Sequence, residues 1–310
     1  PSSRRTAARR LAAMTSSFLV AVGFFIASTS CGYAFSLAIS GVAIPVGGYK
    51  LSFLLTCLGP SLGWFLAWIT LRRSAVPAPG RRKEQRFTRE VLGNRPAMLL
   101  IWGYTCHNWE LLGMWSWTPA FLAACLALSG STEVSAAGYG AYITASFHFV
   151  GLLASFSMGT LSDRMDRARI LLVLAAASMA CSFLFGWSAG WPLVLLVGIG
   201  LVYAFTALGD SPILSAALTE EVDAAYLGAA LGFRSLVGFG AGAVAPVAFG
   251  AVLDWTNPMI HGQRVYADWG WAFSVLGLGG AGAVWAALRF GRSRHQEMRG
   301  HLNPAGEKKT

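Results

Sequence analysis

Apolar residues in this chain fall in long runs rather than in the stripe of an amphipathic soluble helix. Near 12–40, 51–71, 97–128, 137–161, 170–188, 190–213, 225–252 and 269–289 apolar and small residues predominate, with scattered polar side chains among them. Such runs match the length of about 20 residues that a helix needs to cross a hydrocarbon core about 30 Å thick. A segment in lipid must satisfy its own backbone groups, and an unpaired strand cannot. The pattern therefore predicts an all-α membrane protein with eight transmembrane helices. Short polar breaks such as 129–138 separate most runs, and one long polar break occupies 72–95.

Composition agrees with lipid as the solvent. With 55% hydrophobic and 12% charged residues and a mean hydropathy of +0.54, too little polar surface exists to clothe a soluble globule. A net charge of +10 would suggest nucleic acid in a soluble protein, but here the charges alternate by loop. Of the 24 Lys and Arg, 21 lie at 4–10, 72–95, 164–169 and 289–309. Lys50 and Arg264 fall on the other side, and Arg234 lies within a span. The positive-inside rule then places both termini in the cytoplasm and leaves the lipid bilayer, not nucleic acid, as the partner. The five cysteines all sit in apolar runs, without CxxC or Cys/His spacing, so no metal site or cofactor is expected. The excess of Arg over Lys, with abundant Ala and Gly, points to a bacterial inner membrane.

The 72–95 segment, rich in Pro and in positive charge, reads as a cytoplasmic linker with two spans before it and six after. An internal echo bears on that imbalance. Tyr49-Lys-Leu-Ser52-Phe53, continuing to Leu58-Gly59, matches Trp269-Gly-Trp-Ala272-Phe273, continuing to Leu278-Gly279, residue for residue in spacing. A same-sense repeat would make spans 1–2 and spans 7–8 the ends of sister bundles, the alternative being chance similarity among apolar, Gly-rich segments.

After the fourth span stands Gly159-Thr-Leu161-Ser-Asp163-Arg164-Met-Asp166-Arg167-Ala-Arg169. It resembles the G-x-L-[SA]-D-R-x-G-R-[RK] signature of the major facilitator superfamily, with Asp166 in place of the usual Gly and Ala168 in place of a basic residue. The resemblance implies secondary transport of a small-molecule solute by two six-helix bundles. It makes residues 1–71 the last two helices of the N-terminal bundle, 72–95 the central loop, 96–290 the C-terminal bundle and 291–310 a cytoplasmic tail. The chain then corresponds to helices 5–12 of twelve, and the missing N-terminal helices are partners expected ahead of Pro1. The resemblance also gives Gly159, Asp163, Arg164 and Arg167 the role of a conformational clasp. By symmetry Asp163 is expected against the start of the first span, near Arg10 to Thr15. A structural alternative is that these charges only obey the topology rule.

Ionisable groups within spans cost about 2.5–3.5 kcal/mol each on insertion, so each is a candidate for function. In Tyr104-Thr-Cys-His107-Asn108-Trp109-Glu110 through Met114 and Trp117, the residues His107, Glu110, Met114 and Trp117 share one helical face. Glu110 beside His107 is a candidate carrier of a coupling proton, or else a pair locked by a mutual hydrogen bond. Thr144, Ser146 and His148 are expected at mid-depth, as cavity lining or as packing. Asp210 precedes Ser211-Pro212, where the ring frees a backbone carbonyl, and it is expected to reach Arg234, about 13 Å into the seventh span, as a gate or a plain ion pair.

The expected function is alternating-access transport of a small solute, an organic or inorganic anion by virtue of Arg234, coupled to an ion or proton. The His107–Trp117 stretch and Trp269–Phe273 look like bacterial members near the cyanate and nitrate/nitrite porters. Those porters carry an Arg in helix 8, where this chain has uncharged Ser155 and neighbours. The G-P-x-x-G-G signature of proton antiporters is absent from the first span. The rival classes are a membrane sensor and a membrane-embedded enzyme. Nothing resembling a nucleophile–base pair or an appended soluble domain supports them. A third reading is that the chain alone is inactive because half its substrate cavity would come from the missing helices.

Overall fold

The computed structural model describes residues 2–73, 87–162, 164–259 and 265–302, with side chains described from Ser28 onward and, apart from Gln296, only as far as Arg294. They form α1 (Ser2–Thr56), α2 (Leu58–Arg73), a π-helical turn (Thr88–Leu92), α3 (Arg95–Leu128), α4 (Glu133–Ser162), α5 (Arg167–Trp187), α6 (Leu193–Glu221), α7 (Ala224–Thr256) and α8 (Gly270–Leu302). The all-α membrane fold read from the apolar runs is the fold observed.

Seven stretches of the described residues are long and apolar enough to cross a membrane, and the first, Ser28–Arg73, takes in both α1 and α2. That stretch folds back on itself. Gly47 and Gly48 leave helical geometry, and Gly48 adopts φ +67°, a conformation glycine tolerates without strain. Ser52 Oγ then donates to Ser40 Oγ at 2.8 Å, although twelve residues of straight helix would separate them by about 18 Å. The reversal restores eight crossings. The sequence put a ten-residue break between the first two spans, whereas α1 runs through Pro45 to a two-residue turn. At Cys57 the helix is only nicked, because Pro60 has no N–H to offer the Thr56 carbonyl.

Helix ends follow local capping chemistry. Asn94 Oδ1 accepts from Ala97 N at 3.1 Å to start α3, Asp166 Oδ1 accepts from Ala168 N at 3.1 Å to start α5, and Asp223 Oδ1 accepts from Ala225 N at 2.8 Å to start α7. Asn257 closes α7 and holds the following loop. Its Nδ2 donates to Leu253 O (2.9 Å) and Asp268 O (2.7 Å), while its Oδ1 accepts from Ala267 N and Asp268 N, both at 2.9 Å.

Within α3–α8 the central element is α3, which packs against α4, α6, α7 and α8. Small residues permit the close approach. A Cβ on Gly238 would stand 2.7 Å from the Tyr104 ring, so only glycine lets α7 lie against α3 there. One apolar cluster, including Leu100, Leu171, Ile213, Leu218 and Phe290, fills the Arg95 end of α3. A second, including Phe121, Phe185, Phe249, Trp269 and Phe273, fills the Leu128 end with edge-to-face rings. Buried polar groups gather between them. α1 leans on α4, and α2 contributes no buried residue of its own.

Candidate functional site

A cavity of about 370 Å³ opens between α1, α3, α6 and α7. From α3 it takes Tyr104, Asn108, Leu111, Leu112 and Trp115, residues that recur every three or four positions and so share a face. α6 supplies Leu208, Ser211, Ser215 and Thr219, α7 supplies Arg234, Ser235 and Phe239, and α1 supplies Thr29 and Ser30. Among these lining residues Arg234 carries the sole charge. It is 9% exposed, its Nη1 donates to Ser215 Oγ at 3.0 Å, and its guanidinium lies 3.9 Å over the Tyr104 ring. The Arg234 Nε has no hydrogen-bond partner. A buried guanidinium on a cavity wall is suited to charge-assisted hydrogen bonds with an anion.

Behind the α6 wall a buried chain of polar groups leads away from the cavity. Ser211 Oγ lies 2.8 Å from His107 Nε2, and His107 Nδ1 lies 3.1 Å from Asp210 Oδ1. Both ionisable residues are buried. On the same turn Ser215 Oγ donates to Ser211 O at 2.8 Å while it accepts from Arg234. One turn of α6 therefore touches both Arg234 and the acid–imidazole pair. Pro212 loosens that turn, since Leu208 O loses its helical donor and meets Ser155 Oγ only at 3.5 Å.

The sequence profile of the Major Facilitator Superfamily matches residues 11–246, well over half of the chain. The chain belongs to the major facilitator superfamily. It is accordingly a multi-pass secondary transporter rather than an enzyme, and its cavity between helices is where such a fold carries a solute. No curated protein matches the chain.

In this superfamily member Asp210 does not reach Arg234, as the sequence suggested, but pairs with His107. Arg234 instead takes Ser215 and the Tyr104 face, because the carboxylate points to α3 rather than to α7. Nor do His107 and Glu110 bond each other. Glu110 Oε1 accepts from Ser178 Oγ of α5 at 2.9 Å, and a Cβ on Gly280 of α8 would lie 3.0 Å from its Oε2. The face His107–Glu110–Met114–Trp117 is thus turned into the bundle, and the neighbouring face lines the cavity. Trp117 serves packing: its Nε1 donates to Pro246 O at 3.0 Å, and its ring stacks on Phe249. His148 is buried in a ring cluster, stacked 5.2 Å from Tyr33 and 5.0 Å from Trp115, with Nδ1 unpartnered. Thr144 bonds its own helix, and Ser146 faces outward.

Asp163 of the signature loop, and the Arg10 to Thr15 side chains expected opposite it, lie outside the described residues. Gly159 faces Pro212, with space for a Cβ, and Arg164 is exposed. Arg167 donates from Nε to Ser162 O at 3.4 Å and pairs from Nη1 with Glu220 at 2.9 Å. Asn94 Nδ2 donates to Glu221 O at 2.6 Å, and Arg294 stands 3.9 Å from Glu221. Two acids at the C-terminal end of α6 oppose its dipole, and arginines from α5 and α8 offset them. The sequence missed this junction, and it missed Ser178, Ser211 and Ser215, because a lone serine in an apolar run carries no signal of its own.

Proposed function

We propose that the chain moves a small anion across a bacterial inner membrane by alternating access, with Arg234 as the anchor and the His107–Asp210 pair as the holder of a coupling proton. The carrying observation is the buried guanidinium of Arg234, the sole charged group on the cavity lining, whose buried Nε has no hydrogen-bond partner. Ser211 supports the coupling role, since its hydroxyl reaches both the cavity and His107, giving a proton a hydrogen-bonded path between them. The cluster of positive charge at 72–95 and 164–169 supports cytoplasmic placement of the Arg95 end of α3. The repeated start of a helix at Tyr49, after Gly48, and next to Trp269, before Gly270, supports assigning α1–α2 and α3–α8 to separate bundles. The likeness to cyanate and nitrate/nitrite porters fits the anion reading through Arg234, although uncharged Ser155 offers no second cation.

The test uses the purified chain in proteoliposomes, acid outside, supplied with labelled nitrate, gluconate or benzenesulfonate, all permanently charged at neutral pH. Uptake of at least one anion above that of protein-free vesicles is expected, falling roughly tenfold or more in Arg234→Gln. Uptake equal to protein-free vesicles for all three, or untouched by Arg234→Gln, overturns the proposal.

A further inference from the structure

The cavity has two chemically distinct ends. Tyr104 and Trp115 both line it from α3, and eleven residues of helix separate them by about 16 Å. At the Tyr104 end stand Arg234, Ser215 and Thr219. Toward the Trp115 end the wall from α3, α6 and α7 is Leu111, Leu112, Leu208 and Phe239, with Thr29 and Ser30 of α1 also on the lining. Ser215 gives its hydroxyl hydrogen to Ser211 O, so it fixes the guanidinium and has nothing left to donate to a ligand. The Arg234 guanidinium lies over the Tyr104 ring and lines the cavity, and its buried Nε has no hydrogen-bond partner. A guanidinium edge matches the two oxygens of a planar carboxylate.

We infer that the ligand of this cavity is a monocarboxylate with an apolar body, its head on the Arg234 edge and its body along Leu111, Leu112 and Trp115. This rests on the anion reading above and narrows it. A single lining cation balances one negative charge, and a dicarboxylate would bring a second charge against an apolar wall. An ion as small as nitrate would occupy only the Arg234 end and leave the apolar end of the about 370 Å³ cavity unfilled. Neutral amides of the same shape would leave the guanidinium without a counter-charge.

The experiment is equilibrium binding to the detergent-solubilised full chain, read by tryptophan fluorescence and by calorimetry. The probes are acetate, butyrate, hexanoate, benzoate, succinate, nitrate and benzamide. From acetate to hexanoate each added methylene is expected to tighten Kd about fourfold. Benzoate is expected to bind at least roughly tenfold more tightly than nitrate, succinate or benzamide. Arg234→Gln removes the benzoate advantage over benzamide, and Arg234→Lys retains part of it. If Arg234→Gln fails to fold, the benzoate-to-benzamide ratio on the unaltered protein decides the same point. Nitrate or acetate binding as tightly as hexanoate overturns the apolar body while the anion reading survives. Benzamide binding as tightly as benzoate overturns both. Failure of every probe to bind, alongside Arg234-dependent uptake of nitrate or benzenesulfonate in vesicles, overturns the monocarboxylate and leaves the transport reading standing.

Discussion

α3 carries two buried polar environments one turn apart, and they differ in what lies beyond them. His107 holds Asp210 on one side and, through Ser211, touches the cavity on the other. Glu110, one turn further along, meets Ser178 and the α8 backbone near Gly280, and it is not among the residues lining the cavity. Both acids are buried, so burial alone does not separate a coupling group from a structural one. The separating feature is a hydrogen-bonded connection to the space that holds the solute. His107 thus borders the cavity through Ser211, and Glu110 sits at the seam that joins α3 to α5 and α8.

Substitutions at the two sites can break that contrast. His107→Gln is expected to produce the largest effect, lowering uptake of benzenesulfonate driven by a pH gradient roughly a hundredfold, within the range for loss of a proton-transfer group. Counterflow of the same probe, which needs no net proton movement, is expected to persist. Loss of counterflow as well would make His107 a binding or folding residue. Ser211→Ala is expected to lower gradient-driven uptake by roughly tenfold, since the path to His107 is cut but the His107–Asp210 pair remains. Glu110→Gln is expected to change uptake less than about twofold while keeping a hydrogen-bonding group against Ser178. A collapse of pH-driven uptake in Glu110→Gln would show that the two sites act together. Smallest in transport is Ser178→Ala, with no change in the pH profile of uptake and a loss of about 1–3 kcal/mol in stability, read as a lowered thermal midpoint. An altered pH profile in that variant would tie the seam to the coupling path.

The spans were legible because hydrocarbon length and backbone satisfaction leave few alternatives for apolar runs of this size. Legibility failed where the cue was geometric. Gly47-Gly48 turns the chain in two residues, but a hydropathy window sees only an apolar stretch containing Pro45 and two glycines. On α3 the helical period correctly groups His107 with Glu110, Met114 and Trp117, but it does not say which neighbour that face meets. The buried ionisable groups His107, Glu110, His148, Asp210 and Arg234 were visible as candidates because charge is rare inside spans. Their pairing was not. Adjacent spans six and seven suggested Asp210 with Arg234, whereas the true partner of Asp210 lies 103 residues earlier on α3. The capping role of Asp166 was also hidden, since against the signature it appeared only as a replacement for Gly.

Asn257 gives the motion of the anchor a mechanical constraint. Its amide grips the last turn of α7 and both backbone sides of residues 267–268, immediately ahead of α8. A piston stroke of α7 along α8 by even one residue, about 1.5 Å, would pull several of these bonds beyond reach at once. A tilt about that end strains them far less, and the glycines and Pro246 between Asn257 and Arg234 supply the compliance. A tilt of α7 about Asn257 would carry Arg234, more than twenty residues from that pivot, through a longer arc than the residues nearer to it.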